Sequence, residues 1–174
     1  MNEAKPTLSG FRIIESLAQA HVTHVVSVPD LTTSEGVLRP LARQPAPRLV
    51  RICREEEGVG ICAGLHVGGQ RGVMLIQYTG LLASMNAIRA VAMEYSQPIC
   101  MLVGMLFTDS PDDICNSQNY GVRKTIPILD ALGMAYYTVA TDADVDTIPM
   151  AINAAFRDSK PVALLITRYP EATP

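Results

Sequence analysis

The sequence predicts an α/β fold: a single doubly wound domain with a six-stranded, mostly parallel sheet and helices on both faces. Three observations predict it. Short runs rich in Val, Ile, Leu and Met alternate with helical patterns along the chain. The runs are apolar throughout rather than every second residue, as strands buried on both faces must be. Each is bounded by Pro, Gly, Asp or Ser, and neither a linker nor an internal repeat marks a second domain. At 174 residues the chain suits one core of this kind.

Taken in order, Ser9 is placed to cap a first helix whose apolar stripe is Ile13, Ile14 and Leu17. The first strand is expected at Thr23–Val28. A short helix starts near Ser34, with Pro40 ending or kinking it because proline lacks the N–H. The second strand, Arg48–Cys53, leads into a helix over Glu55–Gly68. The third, Gly72–Tyr78, leads into a helix over Leu81–Glu94. Pro98 and Pro161 stand just before strands at Ile99–Met105 and Val162–Thr167, where proline is tolerated. Between those strands lie a helix at Thr125–Leu132 stopped by Gly133, a strand at Ala135–Val139 and a helix at Ala143–Phe156. The longest irregular stretch is Phe107 to Tyr120, where Asp109, Ser110, Pro111, Asp112 and Asp113 mark turns.

Composition narrows the function. Seventeen acids against 14 bases give a net charge of −3 with no basic run, which argues against nucleic-acid binding. No apolar stretch approaches the roughly 18 residues of a membrane span, and Met1 to Pro6 lack the apolar core of a signal peptide, so a cytoplasmic protein is expected. Cys53, Cys62, Cys100 and Cys115 form no Cys-x-x-Cys pair, and three of them lie in apolar runs as buried small residues. His21, His24 and His66 have no ligand spacing, so no metal site is expected within the chain. The 48% hydrophobic content, with a mean hydropathy of +0.19, favours a buried oligomeric face.

The stretch from Arg54 to Gly64 is the most informative. Three acids, Glu55, Glu56 and Glu57, fall in the first turn of a helix, where the dipole favours them. Gly58, Gly60, Ala63 and Gly64 follow within the same segment. Each glycine lowers helix stability by roughly 1 kcal/mol against alanine, so something must approach this backbone closely. Val28, Pro29 and Asp30, then Arg54 and Glu55, then Gln77 to Gly80, then Gly104 to Phe107 all fall at carboxyl ends of expected strands, where open α/β sheets bind ligands.

This ordered set of motifs resembles the pyrimidine-binding (Pyr) domain of thiamine-diphosphate enzymes over nearly the whole chain, 1–174. It is most similar to the alpha subunits of split sulfopyruvate decarboxylases and to the start of phosphonopyruvate decarboxylases. The resemblance implies that a glutamate nine residues before Gly64, which is Glu55, hydrogen-bonds N1′ of the aminopyrimidine; a shift of one register gives Glu56. Proton sharing there favours the imino form, whose nitrogen deprotonates the thiazolium carbon. Apolar burial around Glu55 would favour that sharing, and Glu56 and Glu57 are then surface acids. Pro29, Thr79, Gly80 and Leu81 are implied to border the cofactor, although Thr79 and Gly80 equally suit an ordinary strand-to-helix turn. Asn86 reads as a helix-packing residue. Asp30 borders the substrate or forms an Asx turn. Gln118 and Asn119 stand where related enzymes carry a histidine-containing loop, which leaves a histidine relay without its residue. Together with Arg123 they are the candidates to read a substrate anion, unless Arg123 and Lys124 are simply a solvated face.

The family's Gly-Asp-Gly signature for metal and diphosphate is absent, as are dinucleotide and P-loop signatures. The resemblance therefore implies half an enzyme. A beta subunit would carry the diphosphate and Mg²⁺ site in an α2β2 or larger heteromer acting on a short 2-oxoacid. Sulfopyruvate is the expected substrate and phosphonopyruvate the next. A non-catalytic Pyr-domain partner and a flavodoxin-like nucleotide binder are the rival readings.

Overall fold

Six strands form one sheet: β1 (His24–Ser27), β2 (Arg48–Arg51), β3 (Gly72–Gln77), β4 (Cys100–Gly104), β5 (Ala135–Val139) and β6 (Val162–Ile166). Their spatial order is β2-β1-β3-β4-β6-β5 and every pairing is parallel. The structure, a computed structural model, describes residues 7–172; the reading at Met1 to Pro6 lies outside them. The helices are α1 (Gly10–Gln19), α2 (Arg39–Leu41), α3 (Glu55–Val67), α4 (Tyr78–Ala83), α5 (Met85–Ala87), α6 (Tyr120–Leu132) and α7 (Thr147–Asp158).

Alternate side chains of each strand point to opposite faces and build two cores. Val25, Val73, Leu75, Cys100, Leu102, Val162 and Leu164 meet α1, α2 and α7 through Ile13, Leu17, Leu41, Ile148 and Ile152. Val26, Met74, Ile76, Met101, Val103, Ala163 and Leu165 meet α3, α4, α6 and the segment after α5 through Val59, Cys62, Leu81, Ile88, Val122 and Leu129. Both faces are covered, which is why the central β3, β4 and β6 are apolar and buried nearly throughout, while β2 and β5 at the two sides of the sheet are partly exposed. Ser9 caps α1 as expected, accepting from the Arg12 N–H, and Gly133 ends α6 in the left-handed conformation at φ 65°.

Helix starts depart from the sequence reading. Tyr78 is not the last strand residue but the first of α4, three positions ahead of Leu81. The helical run from Tyr78 to Glu94 also breaks at Ser84, whose hydroxyl donates to the Gly80 carbonyl at 2.7 Å, and it ends in a π-helical segment, Ile88–Glu94. The sixth helix begins at Tyr120 rather than Thr125, because Asn119 caps it, and it carries Pro127 in its interior. Before α7 there is a separate 3₁₀ turn, Asp142–Asp144. The helical run from Ser34 passes from a π-helical turn, Ser34–Leu38, into α2 at Arg39 and ends at Leu41, one residue beyond Pro40. Of the cysteines, Cys62 and Cys100 are buried, while Cys53 is exposed just past the end of β2. Burial pushes the Cys62 thiol up to about 12, leaving it a packing residue.

Candidate active site

The carboxyl ends of β1, β2, β3 and β4 deliver four segments to one edge of the sheet. Glu55 opens α3 directly beyond β2. The helix can lie close there because Gly58 has no side chain: a Cβ at 58 would come within 2.8 Å of the Met74 Cε and 3.0 Å of the Ile52 Cδ1. This seating places the Glu55 carboxylate against Gly80, where a Cβ would fall 2.5 Å from the Glu55 Cδ. Glu55 therefore fills the space over Gly80.

The three glutamates have three different environments. Glu57 is exposed, and its carboxylate accepts from the backbone N–H of Cys53 at 3.3 Å and of Arg54 at 3.4 Å, closing the helix end. Glu56 is half-buried and pairs with Arg54 at 2.5 Å. Glu55 is half-buried and, among the described residues, has no side-chain hydrogen bond or ion pair. The apolar burial expected around Glu55 is not supplied by this chain, because the residue stands at the open edge between α3 and α4.

Around it, Thr79 is exposed and Gly80 buried. The Leu81 side chain is fully buried in the core, which leaves only its backbone to meet a ligand. Two residues that sequence reasoning did not single out tie the neighbourhood together. Tyr78 lies with its ring on Gly121, where a Cβ would come within 3.2 Å of the Tyr78 Cζ, and its hydroxyl donates to Asn119 at 3.3 Å. Both stand beside residues the sequence did point to, Tyr78 before Thr79-Gly80 and Gly121 as the second residue of α6, but nothing local announces their contact. The Asn119 side-chain oxygen also accepts from the N–H groups of Gly121 and Val122 at 3.1 and 3.3 Å, so it is a helix cap. Asn86 is exposed and accepts from Arg89; it belongs to a surface network rather than to helix packing.

The loop after β1 is built differently. Asp30 is buried; one carboxylate oxygen accepts from the N–H groups of Thr32 at 2.7 Å and Thr33 at 3.1 Å, and the other from the Thr33 hydroxyl. This is an Asx turn. It presses on the end of β4, where a Cβ at Gly104 would meet Asp30 at 2.6 Å. Pro29 beside it is exposed. Further along, Phe107 is 66% exposed with φ 60°, a strained position for a non-glycine residue.

Gln118 is exposed, and its N–H donates to Asp109 at 3.0 Å. Asp109 also accepts from the Ser117 hydroxyl at 2.5 Å, and these two bonds, the Ser117 one foremost, hold its carboxyl below the usual value. Arg123 donates to the Ser117 carbonyl at 2.7 Å and lies 5.5 Å over the Tyr120 ring. The structure thus brings Glu55 to Gly80, and through α4 to Asn119, but it gives Arg123 and Asn119 structural partners of their own. Among the described residues no group of three or more His, Cys, Asp or Glu could hold a metal ion. What the edge offers chemically is a carboxylate at a helix head, without an internal partner, beside exposed backbone and Thr79. A carboxylate so placed can share a proton with a nitrogen of a bound ligand.

No protein-family profile matches the chain. Among curated proteins it is 30% identical over 155 residues to the sulfopyruvate decarboxylase subunit alpha of Methanothermobacter thermautotrophicus, covering 88% of this chain and 92% of that one. The corresponding subunit of Methanococcus maripaludis is 27% identical over 159 residues, 88% and 91% of the two chains. A sulfopyruvate decarboxylase of Methanosarcina acetivorans is 26% identical over 170 residues, and there this chain spans only 41% of the relative. Among solved structures, benzoylformate decarboxylase from Polynucleobacter necessarius shares the fold, with a TM-score of 0.71 at 18% identity over 97% of this chain and 32% of that one.

Proposed function

The chain belongs to the family of sulfopyruvate decarboxylase alpha subunits, and from that premise we propose that it is the pyrimidine-binding half of a thiamine-diphosphate-dependent decarboxylase. It converts sulfopyruvate to sulfoacetaldehyde and CO₂ together with a beta subunit, in an α2β2 or larger assembly. The observation that carries this reading is Glu55, an acid without an internal partner, fixed against a glycine at the carboxyl edge of the sheet.

When bound, thiamine diphosphate would supply the sink for the electron pair left behind as CO₂ departs. Glu55 holds the proton at N1′ of its aminopyrimidine. Thr79, Pro29 and the Leu81 backbone would border the ring, beside the Glu55 carboxylate seated over Gly80. Diphosphate and Mg²⁺ belong to the beta subunit. The outward face of α3 supports a close-packing partner: beside Gly60 and Gly64 nothing lies within 4 Å of where a Cβ would stand, and Val67 is 83% exposed.

The test is CO₂ release from sulfopyruvate by the reconstituted complex. Glu55→Gln keeps shape and hydrogen bonding but not the acid, and should lower turnover about 10²–10⁴-fold. Near-normal turnover would refute the assignment, and collapse in Glu56→Gln instead would move the acid by one residue.

A further inference from the structure

Folding gathers arginines that are scattered in the sequence. From Gly36 to Arg54 the chain holds five, Arg39, Arg43, Arg48, Arg51 and Arg54, and no acid. Arg39, Arg43 and Arg51 line one cleft of about 450 Å³ where β1 and β2 end. Pro29, Leu31 and Leu38 complete its wall, and Leu31 is 67% exposed. A volume of this order suits a small organic ligand. The cleft's acid, Glu35, is engaged by Arg39 at 2.8 Å. Arg43 and Arg51 have no side-chain hydrogen bond or ion pair among the described residues.

Two uncommitted guanidinium groups beside an apolar wall match a short carbon chain ending in an oxyanion, since the guanidinium fork engages such groups through paired N–H bonds. Arg123 is a poorer match. It is already tied to the Ser117 carbonyl and lies over the Tyr120 ring. We infer that the cleft formed by Arg39, Arg43 and Arg51 holds the terminal anionic group of the 2-oxoacid, with Pro29 marking the side on which the reacting carbon meets the cofactor. The inference rests on the decarboxylase reading and names the residues that select its substrate.

Sulfoacetate, which has a sulfonate and a carboxylate but no reacting carbonyl, is titrated into the full chain and into the assembled complex, with acetate and inorganic sulfate as controls. Binding should exceed both controls, and Arg43→Gln and Arg51→Gln should each weaken it about tenfold or more. Arg43→Lys, which keeps the charge, should lose less. In the complex the same Gln variants should lower kcat/KM for sulfopyruvate by about tenfold more than for pyruvate, while Arg123→Ala should leave that ratio within about twofold. Sulfoacetate binding no better than acetate, or equally well to the Gln variants, overturns the inference even if the complex decarboxylates sulfopyruvate. So does sulfate binding as tightly as sulfoacetate with the substrate ratio unmoved, which makes the cleft a site for free anions. Loss of sulfoacetate binding in the variants of a complex that decarboxylates no 2-oxoacid would leave the cleft standing and remove the decarboxylase reading.

Discussion

Glu55 and Gly80 are coupled by volume. A methyl group at position 80 would stand 2.5 Å from the Glu55 Cδ, so Gly80→Ala must displace the carboxylate. A displacement of about 1 Å at a catalytic group lowers turnover on the order of 10²-fold. The reconstituted complex should show that loss while circular dichroism and the unfolding midpoint of the chain change little. Glu57→Ala should do the reverse, removing the bonds to the Cys53 and Arg54 N–H groups and lowering stability by about 0.5–1.5 kcal/mol in denaturant while turnover persists. The spacing to Gly64 that the resemblance supplies points to Glu55, a register left to the Glu55→Gln and Glu56→Gln pair. Of the two expected surface acids, Glu57 is exposed and closes the helix end while Glu56 is half-buried against Arg54. Tyr78 was not legible: its partner Asn119 lies 41 residues away, and no local pattern announces such a contact.

At the scale of elements, the central strands β3, β4 and β6 were readable because burial on both faces writes a nearly continuous apolar run into each. Helix starts were not, because distant contacts set them: Tyr78 is held helical by Gly121 and Asn119, and α6 starts at a cap ahead of an interior Pro127. Helix α3 carries its own prediction. Gly58 serves packing inside the chain, whereas Gly60 and Gly64 face outward with open space before them. Gly60→Leu and Gly64→Leu should leave the isolated chain folded and weaken its association with the beta subunit, as sedimentation of mixtures would report. Unfolding of the isolated chain by either change would show that these glycines serve the monomer instead. The segment before α6 has a pH signature. Because Asp109 is held below the ordinary 3.8 of its type, its tie to Ser117 and Gln118 stabilises the fold fully above that value. The tie is lost as pH falls through the lower, folded value, so the Gln118 amide should lose exchange protection only in that acid range.

Over the whole molecule, the sheet order β2-β1-β3-β4-β6-β5 places Glu55, Gly80 and the loop after β1 along one edge, and this arrangement follows from parallel topology alone. The sequence made that edge predictable; the arginine cleft was not, since Arg39, Arg43 and Arg51 become neighbours only when the turn after β1 folds back beside β2. In the proposed reading the site is divided: this edge supplies the acid Glu55, and a beta subunit supplies the diphosphate and metal site. That division is the central claim, and cofactor titration tests it most directly. Thiamine diphosphate with Mg²⁺ is titrated calorimetrically into this chain, into the beta subunit and into their mixture. The account predicts weak or no binding by this chain alone and tight, Mg²⁺-dependent binding by the mixture. Tight binding by this chain alone, unchanged when the beta subunit is added, would contradict it.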